Sequence, residues 1–296
     1  MQFILLILIT AGCLSLQDIS KKCYSCVGDD KKMGIYTYYF ISVLVTMTVF
    51  AVNLSGDIFY ESIMLPYAVG FAICYFAAVL FTLKAIEVGP LSLTSLIISY
   101  SLLIPSLYGL VFLHEEISTI KVVGLIMLFI SLFCVESGKR DKNGNTKKHD
   151  VSINKKWYVY VALAFVGNGL CSTLQKAYQL YSGGRGKSEF MLIALCITAA
   201  AFLVLRIVHS DTERGFLPTR TNGGWFGIVS GLCNGIVNLL IMVLSNQPAS
   251  VVYPSISAGS VVLTIITAKL FFKEKYTNIQ NLSFIIGVCS IVCLNI

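Results

Sequence analysis

A chain of 296 residues with 56% hydrophobic and only 12% charged residues cannot solvate its whole surface, since ordinary soluble domains carry roughly 25% charge. The class is therefore polytopic membrane protein, and the net charge of +7 is read as a signal of membrane orientation. A nucleic-acid groove would need a basic stripe interleaved with aromatics, and none stands outside short connecting segments.

A helix crosses a bilayer with about 20 mostly apolar residues, and ten stretches qualify in chain order. They run approximately over 2–20, 34–54, 63–84, 91–113, 117–136, 157–179, 188–208, 223–245, 249–272 and 277–295. The first could pass for a signal peptide, but it lacks a basic leading region and recurs inside the chain around Cys171, so it is read as a span. Cys23 and Cys26 form a CxxC between spans one and two. A single such pair without nearby histidines is a weak metal or redox signal. Pro90 and Pro248 stand near the starts of spans four and nine, where a missing amide proton costs little. Pro105 and Pro254 lie inside the same two spans and should kink them or free a carbonyl. Barrel strands would alternate polar and apolar residues; Gly124-Leu125-Ile126-Met127-Leu128-Phe129-Ile130 is apolar throughout. The elements are helices.

The chain repeats itself. Cys13-Leu14-Ser15-Leu16-Gln17 returns as Cys171-Ser172-Thr173-Leu174-Gln175, offset 158, and the turn Leu113-His114-Glu115-Glu116 returns as Phe272-Lys273-Glu274-Lys275, offset 159. Cys74 is matched by Cys233. Two five-helix halves, 1–136 and 157–296, thus flank a polar linker at 137–156. Five crossings per half turn the second half upside down, which is the architecture of many secondary transporters. The expected fold is an all-α integral membrane protein with ten transmembrane helices in two inverted five-helix repeats. Placing both termini outside puts most of the 22 lysines and arginines in cytoplasmic loops, the linker included.

These units resemble the drug/metabolite transporter superfamily, specifically the EamA-type ten-helix carriers, over essentially the whole chain. Each half closes with a short turn holding a glutamate and then a helix with small residues: Leu113 to Ser118 followed by Gly124 and Ser131, and Phe272 to Thr277 followed by Gly287 and Ser290. Gly89-Pro90-Leu91-Ser92 and Gln247-Pro248-Ala249-Ser250 also match the family pattern. The resemblance implies a solute carrier with a cavity between repeats, working by alternating access and often as an exporter. It also implies cytoplasmic termini in many members, where the charges here argue the reverse.

Polar groups at mid-bilayer tend to face cavities or partners. Tyr75, Asn168, Asn234 and Asn238 sit near the centres of spans three, six and eight, and Ser99, Tyr100, Tyr253 and Ser257 lie in spans four and nine. Together they are the candidate substrate-binding residues. Serine-lined faces could instead serve close helix approach. Gln17 and Gln175 hold equivalent places near the ends of spans one and six, as paired gates or as interfacial anchors. Glu115 and Glu274 complement the amino ends of the following helices and are read as structural. Asp18, Glu87 and Glu136 are placed near span ends, leaving the middles without Asp, Glu or His. A proton relay of the intramembrane-carboxylate type is therefore not evident. With no Walker-type loop, HExxH motif or catalytic triad, the chain is expected to be no enzyme and to need neither metal nor cofactor.

The function expected is secondary transport of a small polar or amphipathic metabolite, with export as the direction. A lipid or lipid-linked sugar translocase, and a non-transporting sensor or assembly partner, are the alternatives. The expected partners are the small-molecule substrate and the lipid bilayer, with a homodimer possible and no nucleic acid. The expected location is the bacterial cytoplasmic membrane.

Overall fold

The computed structural model describes residues 2–28, 33–54, 59–89, 100–114, 155–209 and 222–271, with shorter stretches between 94 and 131, residue 218 and scattered positions from 279 to 293. The described residues form α1 (Gln2–Ser25), α2 (Ile35–Val52), α3 (Met64–Val88), α4 (Leu103–Phe112), α5 (Lys155–Tyr181), α6 (Lys187–Val208), α7 (Gly224–Val243) and α8 (Ala249–Phe271). Among these, seven helices are long and apolar enough to cross a membrane, with α4 and its preceding turn as a shorter apolar piece. The outward faces agree with that reading: Val52, Ile73, Phe112 and Ile207 are each more than 60% exposed. Apolar surface on this scale has no place in water and suits lipid. The protein is a multi-pass helical membrane protein.

Span four differs from the uninterrupted helix predicted for 91–113. A 3-10 turn at Tyr100–Leu102 leads into α4, where Pro105 is the third residue. Proline near a helix start forfeits no internal hydrogen bond, because the first amides have no partner within the helix. Pro254, by contrast, is carried inside the continuous helix α8. Helix α1 also runs past its predicted end at 20, to Ser25, which moves Asp18 well inside the helix. The expected turn glutamates Glu115 and Glu274, residue Ser99 and linker positions 137–154 lie outside the described residues.

Polar side chains inside the spans are mostly satisfied locally. Thr10, Ser20, Thr46, Thr82, Ser106 and Thr198 each donate to the carbonyl four residues earlier. This local bonding lets a hydroxyl sit in an apolar helix without a partner elsewhere.

Packing follows a definite scheme. Helix α3 lies along α5, and α7 lies along α1. Helix α2 packs on α6 and α7, while α6 also packs on α3; α8 covers α1, and α4 covers α5 and α8. Glycines set the closest crossings. A Cβ on Gly231 would come within 2.3 Å of the Ser42 carbonyl of α2, and one on Gly167 within 2.8 Å of the Cys74 carbonyl of α3. Aromatic rings fill the core between: Tyr39 stacks on Phe202, Phe71 on Tyr75, and Tyr178 on Phe190. The Tyr39 hydroxyl donates to the Val79 carbonyl, joining α2 to α3.

Candidate solute-binding site

A cavity opens among α1, α3, α5, α7 and the segment leading into α4. Its centre is Asn234, buried on α7. The Asn234 amide nitrogen donates to the Tyr75 hydroxyl of α3 at 2.7 Å and reaches Thr46 of α2 at 3.5 Å. Its amide oxygen accepts from Gln17 of α1 at 3.3 Å. One helical turn on, Asn238 donates to both the Asn234 carbonyl, at 2.9 Å, and its side-chain oxygen, at 3.3 Å. Spacing of four residues puts the two asparagines on one face, so a single helix supplies both. On the opposite wall, Asn168 of α5 donates to Ser101 at 2.7 Å. Buried amides cost free energy unless paired, and this network pairs them while leaving their edges on the cavity.

The sequence-predicted residues divide into two groups. Gln17, Tyr75, Asn168, Asn234 and Asn238 line the cavity. Gln175 sits behind it and donates to the Asn238 carbonyl at 3.1 Å. Tyr253 supports the wall by donating to the carbonyl of Ser172, itself a lining residue, at 3.3 Å. Tyr100 and Ser257 are buried elsewhere, Tyr100 pointing its hydroxyl at Ser131, 3.4 Å away. Of the α8 hydroxyls, Ser255 and Ser260 bond to backbone of their own helix.

Among the lining residues that went unpredicted, two are charged. Asp18 and Lys21 form an ion pair at 3.3 Å on the cavity wall, with side chains only 18% and 7% exposed. Their signal was in the sequence: Leu14, Gln17, Asp18 and Lys21 follow the i, i+3, i+4, i+7 pattern of one helix face, and all four line the cavity. A span ended at 20 hides that face. Phe71, Cys171 and Val237 complete a partly apolar lining. Neutral amides and hydroxyls, one internally neutralised charge pair and an aromatic wall can bind a polar, uncharged solute by hydrogen bonds and ring contact.

A membrane-embedded bundle with a polar internal cavity defines the class of solute carriers. The family model of the sugar transport proteins matches residues 73–296, from within the third of the five predicted spans of the first half to the end of the second half. The chain belongs to that family, a family of membrane transporters. It is also 23% identical over 215 residues to an uncharacterized protein of Haemophilus influenzae strain Rd, covering 71% of this chain and 68% of that one. A solved crystal structure of a protein superposes with a TM-score of 0.70 over 98% of both chains at 14% identity. At that identity the likeness speaks for the fold alone.

Proposed function

We propose that this protein is a secondary transporter moving a sugar, or a closely similar neutral polyhydroxylated solute, by alternating access between two inverted five-helix repeats of the EamA type. The observation that carries the reading is the cavity itself. Sugars need donors and acceptors around the ring and an apolar surface against its face, and pockets of that kind combine a few placed polar groups with aromatic walls. Gln17, Asn168, Asn234 and Asn238 supply the first; Phe71, stacked on Tyr75 with ring centroids 5.7 Å apart, supplies the second.

Helix packing supports the repeat. Exchanging α1 with α5, α2 with α6, α3 with α7 and α4 with α8 returns the same set of neighbours: α3 on α5 becomes α7 on α1, and α2 on α6 maps onto itself. The repeated cysteines follow. The free thiols Cys13 and Cys233 are neighbours where α1 packs on α7, and Cys171 donates to the Phe71 carbonyl, one turn from Cys74, where α5 packs on α3. Binding at the interface of two such halves suits a rocking mechanism.

The charge distribution supports external termini with residues 137–156 in the cytoplasmic membrane's inner compartment, and the EamA-type likeness supports export. Reporter fusions at each terminus test the orientation: activity of a cytoplasm-only reporter there would overturn it. The function is tested by uptake of labelled glucose, xylose and mannitol into proteoliposomes and by their thermal-shift effect on the detergent-purified protein. The expected result is saturable flux above empty vesicles for at least one of the three. Flux equal to empty vesicles for all three, with no shift in melting, would sink the sugar reading.

A further inference from the structure

Among the described residues lining the cavity, Asp18 and Lys21 are the charged ones, and both are under-used. Their mutual contact at 3.3 Å is the sole hydrogen bond of either side chain to the described residues. An ammonium has three donors and a carboxylate about four acceptor sites. Removing such groups from water is repaid only when the remaining donors and acceptors are also met. Lys21 and Asp18 belong to one rigid helix, one turn apart, so they cannot satisfy each other further by moving together. Both line the space in which a solute would sit, together with Gln17 and Asn168.

The chemistry of that solute follows from keeping the pair intact. A cation would be drawn to Asp18 but repelled by Lys21, and an anion the reverse. A zwitterion could bridge the same two groups, and competition by alanine separates it from a diol. Two hydroxyls on adjacent carbons meet both groups without repulsion: one donates to the carboxylate while its neighbour accepts from the ammonium. Adjacent gauche hydroxyl oxygens are somewhat closer together than the 3.3 Å between Asp18 Oδ1 and Lys21 Nζ, so the two can meet the pair side by side. We propose that Asp18 and Lys21 form a clamp for a vicinal diol, the subsite that orients a sugar ring against the Phe71–Tyr75 wall. This rests on the sugar-transport reading and names the hydroxyl pattern that reading leaves open.

The test begins with the unmodified protein in proteoliposomes. Whichever of glucose, xylose or mannitol is transported is competed with its own monodeoxy analogues, one position at a time, and with alanine as a zwitterion. The clamp predicts that removing either of two adjacent hydroxyls weakens competition about tenfold or more, the loss expected when a hydrogen bond to a charged group disappears. Other positions should matter much less. The variants Asp18→Asn and Lys21→Gln should raise KM for the parent sugar by a similar factor, yet leave KM for the matching deoxy analogue nearly unchanged. A wild-type protein that ranks all deoxy analogues alike overturns the clamp while leaving sugar transport standing, whether or not either variant folds. Variants that weaken parent and analogue equally, or alanine competing better than the sugar, also overturn it. Absence of flux and of melting shift with all three sugars overturns the parent reading and the clamp with it.

Discussion

Helices α1 and α5 carry the repeated segment, yet its two copies do opposite work. In α1 the cavity face is Leu14, Gln17, Asp18 and Lys21; in α5 it is Asn168, Cys171 and Ser172, about one turn earlier in repeat coordinates. The counterparts of Asp18 and Lys21 are Lys176 and Gln179, and neither lines the cavity. Lys176 is buried and donates to the carbonyls of Ser245 and Gln247, at 2.5 and 2.8 Å, just past the end of α7. Gln179 is buried with both ends of its amide unpaired among the described residues. A cation at a helix carboxyl end is favoured by the helix dipole, so Lys176 ties α5 to the end of α7. In the proposed inverted arrangement, the carboxyl ends of α1 and α5 lie towards opposite membrane faces. The difference is one of surroundings: the last turns of α1 border the cavity, while those of α5 are packed against the end of α7.

The comparison can be broken in order of effect. Lys176→Met removes two charge-assisted bonds and should cost about 3 kcal/mol, read as a clear drop in the melting midpoint of the purified protein. A midpoint within a degree of wild type would strip Lys176 of its role in tying α5 to the end of α7. Next comes a glycine contrast. Gly167→Ala on α5 meets backbone of α3 and should cost about 1–3 kcal/mol by overpacking, whereas a Cβ at Gly12 on α1 meets nothing within 4 Å. Gly12→Ala should be neutral or slightly stabilising; equal losses from both would refute the packing difference. Asn234→Ala withdraws partners from Gln17, Tyr75 and Asn238 and should weaken sugar binding about tenfold, near the usual cost of one well-placed polar contact. Retained affinity in a thermal-shift titration would move the site elsewhere. The finest contrast sets Gln17→Ala against Gln175→Ala. Each loses a bond worth about 1 kcal/mol, but the first should lower affinity and the second chiefly stability. The same change in both readouts would erase the distinction between a residue that lines the cavity and one that supports it from behind.

Four of the cavity residues were legible as isolated polar groups in apolar spans, Tyr75, Asn168, Asn234 and Asn238, while Gln17, read as a gate or an interfacial anchor, also lines the cavity. Such residues are expensive in hydrocarbon, so their presence alone points inward. Tyr100 and Ser257 carried the same signal but found buried places elsewhere, because a hydroxyl is cheaply met by one neighbour or its own helix. Asp18 and Lys21 were missed for the opposite reason. Charges read as the end of a span, and only the continuation of α1 to Ser25, with the Tyr24 hydroxyl donating to the Met33 carbonyl at 2.5 Å, carries them inside. The break of span four at Tyr100–Leu102 was foreshadowed by Pro105, but proline alone did not distinguish it from the unbroken α8 with Pro254.

The sequence by itself determined the solvent, the secondary structure and the internal repetition, since apolar length and residue identity at a fixed offset are local properties of the chain. Tertiary structure decided which copy of the repeated segment faces the cavity. Equivalent residues meet different neighbours across α3 and α7, and a buried charge takes its role from the partner it meets. Asp18 met Lys21 beside open space, and Lys176 met the carbonyls beyond the end of α7.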